Sequence, residues 1–158
     1  MKPQFFGDSY DIVKQSFLRW LDATGRWATH PMFTDPFSSD QLDHYRRLVG
    51  TRILSCEVLT SGVDRNAYLA PARDWPDHVF LDPDTGIRLQ PIQGERAPRY
   101  IFVPELVAIA NARPGRLTLV FDQSLARGAE RQQLQDKLSS LAAGGVHFVA
   151  YVAQVGFV

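Results

Sequence analysis

Two short apolar runs, each stopped by an aspartate, most constrain what this chain can fold into. His78-Val79-Phe80-Leu81 empties into Asp82-Pro83-Asp84-Thr85-Gly86, and Leu117 to Phe121 empties into Asp122-Gln123-Ser124. Continuous apolar runs of this length suit strands covered on both faces, as in a parallel sheet between layers of helix. Helical signals alternate with them. The expected architecture is therefore one three-layer α/β domain over residues 1–158, with a mostly parallel sheet of about five strands.

The length, 158 residues, suits one domain with a proper core. Lys plus Arg and Asp plus Glu are equal at 17 each, so no global field draws the chain to nucleic acid or anionic membrane, and any such binding must come from a local patch. The single cysteine, Cys56, cannot form an internal disulfide. Its apolar neighbours Ile53, Leu54, Val58 and Leu59 predict a buried thiol. The opening residues have no signal-peptide pattern, and no window approaches about 18 uncharged apolar residues. A cytoplasmic protein with no membrane partner is the expectation.

Asp8 is a natural N-cap with Asp11 three positions on, and Tyr10, Val13, Phe17, Trp20 and Leu21 recur at helical spacing as the expected apolar face, up to Gly25. A strand is expected over 27–33, a helix capped by Asp40 and stopped by Gly50, and a second strand over 51–60. The stretch to Asp77 reads as loop or irregular helix, and 90–98 as a polar surface loop. Pro104 opens a helix ending at Pro114-Gly115. Leu117 to Phe121 reads as a buried strand, and 128–143 as a helix with Leu134, Leu138 and Leu141 inward, closed by Gly144-Gly145. The last strand or hairpin falls in 146–158.

In open parallel sheets, ligands bind outside the carboxyl ends of the strands. Asp82 and Asp122 are thus expected to face one crevice, with Asp84 two residues past Asp82 adding a carboxylate for a hard cation such as magnesium. Gly7, Asp8, Asp11 and Lys14 stand at a helix start where free N–H groups favour phosphate or carboxylate. Gln123, Ser124 and Arg127 follow the last acid and could meet an anion there. Capping, turn formation and surface pairing explain the same residues without any ligand. The four histidines show no zinc-ligand spacing, and His30, before Pro31, is the one candidate base. No nucleophile elbow or phosphate-binding P-loop is present.

The segments Gly7 to Lys14, Asp82 to Gly86 and Asp122 to Gly128 resemble an uncharacterised bacterial family with Gly-Asp-x-x-Asp-x-x-Lys, Asp-Pro-Asp-x-Gly and Asp-Gln-Ser-x-x-Arg-Gly motifs. More remotely, their order resembles the ribosomal RNA adenine-N6 methyltransferases. That resemblance implies a Rossmann-like sheet and nucleotide or nucleic-acid ligands. Two departures stand against methyl transfer. His30-Pro31-Met32-Phe33-Thr34-Asp35 occupies the place of the glycine turn that holds S-adenosylmethionine. Asp84 and Thr85 replace the second proline and the base-stacking aromatic.

The leading expectation is a magnesium-dependent phosphodiester hydrolase acting on nucleic acid or a nucleotide. Asp82, Asp84 and Asp122 would hold the metal, and Lys14 and Arg127 would neutralise phosphate. The alternative is a degenerate methyltransferase-like module that binds a nucleotide, RNA or protein without turnover, as in defence against mobile elements; a residual S-adenosylmethionine-dependent methyltransferase comes third. The Trp75 region and Phe157 are candidates for a homo-oligomer surface.

Overall fold

The computed structural model describes residues 7–150. Four strands form a parallel sheet in the order β2-β1-β3-β6: β1 (Trp27–His30), β2 (Arg52–Ile53), β3 (His78–Leu81) and β6 (Thr118–Val120). The expected α/β class with a mostly parallel sheet is what forms. A second, two-stranded parallel sheet joins β4 (Gly86–Arg88) to β5 (Tyr100–Phe102), so the strands are split between two sheets.

Helices cover both faces of the larger sheet, and period-2 alternation decides which side chain meets which layer. On one face α1 (Ser9–Leu21) and α2 (Ser39–Val49) bring Leu18, Tyr45 and Val49 against Trp27, Phe33 and Phe80. On the other, α3 (Arg65–Arg73), α4 (Val103–Asn111) and α5 (Glu130–Ala143) bring Tyr68, Leu69, Leu106, Ile109 and Leu141 against Met32, Val79, Leu81 and Ile101. Phe80 is 1% exposed. Burying a side chain of its kind stabilises by roughly 1.5–3 kcal/mol.

Several local expectations change. The buried stripe of α1 is Asp11, Lys14 and Leu18; of the expected apolar face Tyr10 and Trp20 are exposed, while Val13, Phe17 and Leu21 are half-buried and Leu21 packs on the core. The physical reason is a buried acid on the sheet, described below, which draws the charged residues inward. The cap of α2 is Ser38, in a reciprocal box with Gln41, and Asp40 falls in the first turn. The run 51–60 pairs only at Arg52–Ile53, so Cys56 lies in irregular chain and is exposed. Residues 65–73 form a regular helix capped by Asp64, with Pro71 inside it. Strand β6 sits at the sheet edge and is half-buried. Residues 146–150 carry no strand, and the remainder of that expected hairpin, with Phe157, lies outside the described residues. No helix among the described residues is long and apolar enough to cross a membrane.

Candidate functional site

The chain leaves β1 toward β2 on one side and, after returning, leaves β3 toward β6 on the other, so the strand order reverses between the carboxyl ends of β1 and β3. That reversal is where open sheets of this type bind ligands. Asp82 stands there, with its N–H donating to the His30 carbonyl at 3.1 Å.

Two residues past Phe80, Asp82 projects to the α1/α2 face and is fully buried. The ammonium of Lys14 lies 3.0 and 3.3 Å from its two carboxyl oxygens and 3.0 Å from Asp11 Oδ1. The Tyr45 hydroxyl donates to Asp82 Oδ2 at 3.0 Å. Asp11 is held in turn by the Gly7 N–H at 2.9 Å, while Asp8 caps the helix by accepting from the N–H groups of Tyr10 and Asp11. Gly7 takes a left-handed φ of 86° to make that entry. Each of Gly7, Asp8, Asp11 and Lys14 is therefore committed to starting α1 or to neutralising Asp82.

Burial pushes the Asp82 carboxyl up, against the pull of Lys14 and the Tyr45 hydroxyl. Burial alone would pull Lys14 down, but the charges of Asp82 and Asp11 outweigh it and raise the ammonium. The Tyr45 phenol is driven well above its ordinary value by burial and by Asp82. Lys14 and Tyr45 are thus firm proton donors rather than bases at neutral pH.

Asp122 faces the opposite layer. Leu119 and Phe121 pack with the α1/α2 core and Val120 with the other, so the next residue in alternation sends its carboxylate toward α5. There Oδ2 accepts from Lys137 Nζ at 2.7 Å, and Oδ1 accepts from the N–H groups of Ile87 and Ser124 and from the Ser124 hydroxyl. Ser124 Oγ lies 2.6 Å from Lys137 Nζ and 2.8 Å from the Ile87 carbonyl. Gly86, at φ 135°, is obligatory beside this cluster, because a Cβ would overlap Asp122 Oδ1. Asp84 stands in the turn after β3, with its carboxylate 3.8 Å from Arg99. Arg127 and Gln123 are exposed, and the Gln123 N–H donates to the Thr85 carbonyl.

The expected convergence of Asp82, Asp84 and Asp122 on one magnesium ion is corrected by this geometry. Asp82 and Asp122 lie on opposite faces of the sheet, and each acid is matched with its own cation: Lys14, Lys137 or Arg99. Among the described residues no group of three or more His, Cys, Asp or Glu is placed to hold a metal. The donor set therefore does not fit a shared divalent ion. The acidic motifs are linked structurally instead, Lys14 to Asp82 and Gly86 to Asp122.

His30, the candidate base, is fully buried on the α3 face. Its Nε2 lies 3.0 Å from the Tyr68 carbonyl, which can only accept, so the proton sits on Nε2 and Nδ1 is a lone pair with no side-chain or backbone donor among the described residues. Burial lowers its pKa to about 4. It is a neutral base sealed from solvent. Beyond it Pro31, Met32 and Phe33 are all buried, with Met32 at φ 46°.

Sequence reasoning missed Tyr45 and Lys137. A buried phenol needs a polar partner, and Lys137 lies on the inward stripe of α5 with Leu134 and Leu141. Both were signals in plain view. On the α5 side of the rim, a cleft of about 320 Å³ opens among Ile87, Arg88, Leu89, Ile92, Tyr100 and Ser124, with Gln90, Gln133, Asp136 and Lys137 around it. The Arg88 guanidinium lies 5.5 Å from the Tyr100 ring centre. No protein-family model, curated protein or solved structure matches the chain.

Proposed function

We propose that the chain is a binding module that takes a nucleotide, free or as the end of a nucleic acid, in the cleft between β4, β5 and α5, and holds it without turnover. The supporting observation is the cleft itself, at the small end of the roughly 300–1,000 Å³ usual for ligand sites and at the carboxyl end of β6. Ile87, Leu89 and Ile92 offer apolar contact to a base. Gln90, Gln133 and Asp136 offer hydrogen bonds to its edge, and the exposed Arg88 beside Tyr100 offers a cation for phosphate. The state of the reactive groups supports binding over turnover. Asp82 and His30 are sealed, and the Asp122 carboxylate is taken up by Lys137, Ser124 and the Ile87 N–H.

Calorimetry with a panel of nucleotides and short oligonucleotides, with and without magnesium, checks this. The expected result is a ligand recovered intact and bound about tenfold more weakly by Arg88→Ala, the effect of one charge-assisted contact. Magnesium-dependent cleavage lost in Asp82→Asn would overturn the reading in favour of the hydrolase. A thermal shift with S-adenosylmethionine would do so in favour of the methyltransferase.

A further inference from the structure

At the opposite rim, five arginines meet two aspartates in a chain whose total charge is zero. Arg26 and Arg52 lie at the starts of β1 and β2, Arg73 ends α3, Arg113 follows α4, and Arg116 precedes β6. Asp77 takes Arg26 at 2.8 Å and Arg116 at only 3.9 Å, and Asp74 takes Arg73 at 3.0 Å. Arg73, Arg113 and Arg116, with Trp75, line a groove of about 300 Å³.

Arg113 is the informative member. It is 5% exposed, yet among the described residues its guanidinium meets only the carbonyls of Ala72, at 3.3 Å, and Leu117, at 2.8 Å. Its Nε and the indole Nε1 of Trp75 are buried donors with no partner among the described residues. Burial and the neighbouring Arg116 pull its pKa down to about 10. Helix C-termini attract cations and account for Arg73 and Arg113 being there. They do not account for Arg116, which lies outside any helix, or for two orphaned donors.

We propose that this groove is a phosphate-binding site, in which a phosphate group lies among Arg73, Arg113 and Arg116. Guanidinium forks match two phosphate oxygens at once, and three of them around one groove supply the charge that two carboxylates leave unbalanced. The phosphate comes either from a free nucleotide or from a nucleic-acid backbone. This site is separate from the cleft at Arg88.

The test follows the indole N–H of Trp75 by ¹⁵N-resolved NMR while the full chain is titrated with inorganic phosphate, a mononucleotide and a single-stranded oligonucleotide. Phosphate alone is expected to shift the Trp75 indole, with binding about tenfold weaker in Arg116→Met and unchanged in Arg47→Met, an exposed arginine of α2 that lines neither the groove nor the cleft. Arg116 is exposed, so its replacement leaves the fold intact. An oligonucleotide that binds tighter than the mononucleotide, with a steep salt dependence, identifies a nucleic-acid backbone as the source. Equal affinity identifies the free nucleotide. An indole resonance unmoved by all three ligands, or binding indifferent to Arg116→Met, overturns the proposal.

Discussion

Replacing Lys14 by methionine is expected to destabilise the protein by roughly 3–5 kcal/mol, the cost of breaking a buried ion pair from one side. Methionine keeps the apolar stem of the lysine and removes only its charge. Among the described residues, Asp82, with no exposure, then keeps the Tyr45 hydroxyl, and Asp11 the Gly7 N–H. Against a usual total of about 5–15 kcal/mol, that loss is about a fifth of the stability or more. Removing both charges together, as Lys14→Met with Asp82→Leu, is expected to restore part of it, because the largest uncompensated charge is gone while Asp11 still lacks its lysine and Tyr45 its acceptor. Urea unfolding of the single and double variants reads both results. A single variant within about 1 kcal/mol of the parent, the worth of an exposed pair, would show that solvent reaches Asp82.

The second large effect is a loss of stability in mild acid caused by His30. Its folded pKa of about 4 lies below the ordinary 6.5, so the unfolded chain takes up the proton first as pH falls. Its contribution to stability is complete above pH 6.5 and is lost progressively down to about pH 4, by on the order of 3 kcal/mol. Asp82 works the other way. Its raised pKa lets the folded state bind a proton where the unfolded chain does not, so its effect on stability improves as pH falls. The two terms separate by difference. Unfolding free energies of the parent and of His30→Gln, measured from neutral pH to pH 4.5, are expected to converge toward acid. Parallel curves would mean that His30 is protonated in the folded protein at the same pH as in the unfolded one.

The sheet was legible because apolar strands bounded by turn residues carry their own signature. His78 to Leu81 and its abrupt end at Asp82 read correctly, as did Asp8 as a cap and Gly50 as a stop. The α1 face was not legible, since periodicity counts apolar residues and the buried stripe here holds Asp11 and Lys14. Only knowledge of Asp82 across the sheet would have turned the helix the right way. The link between strand-end acids failed for a similar reason. Register pairs Leu81 with Val120, so positions 82 and 122 differ by one residue in alternation and fall on opposite faces. A spacing of that kind is invisible until the strands are paired. The strands β4 and β5 are only three residues each, below the length at which alternation can be read, and they frame the cleft.

The most direct measurement is a double-mutant cycle between Asp82→Asn and Asp122→Asn, read as unfolding free energy with and without magnesium. Two separate charged centres predict additivity, with a coupling below about 0.5 kcal/mol, and no change on adding the ion. A coupling above about 1 kcal/mol that depends on magnesium would contradict this and put both carboxylates back on one metal.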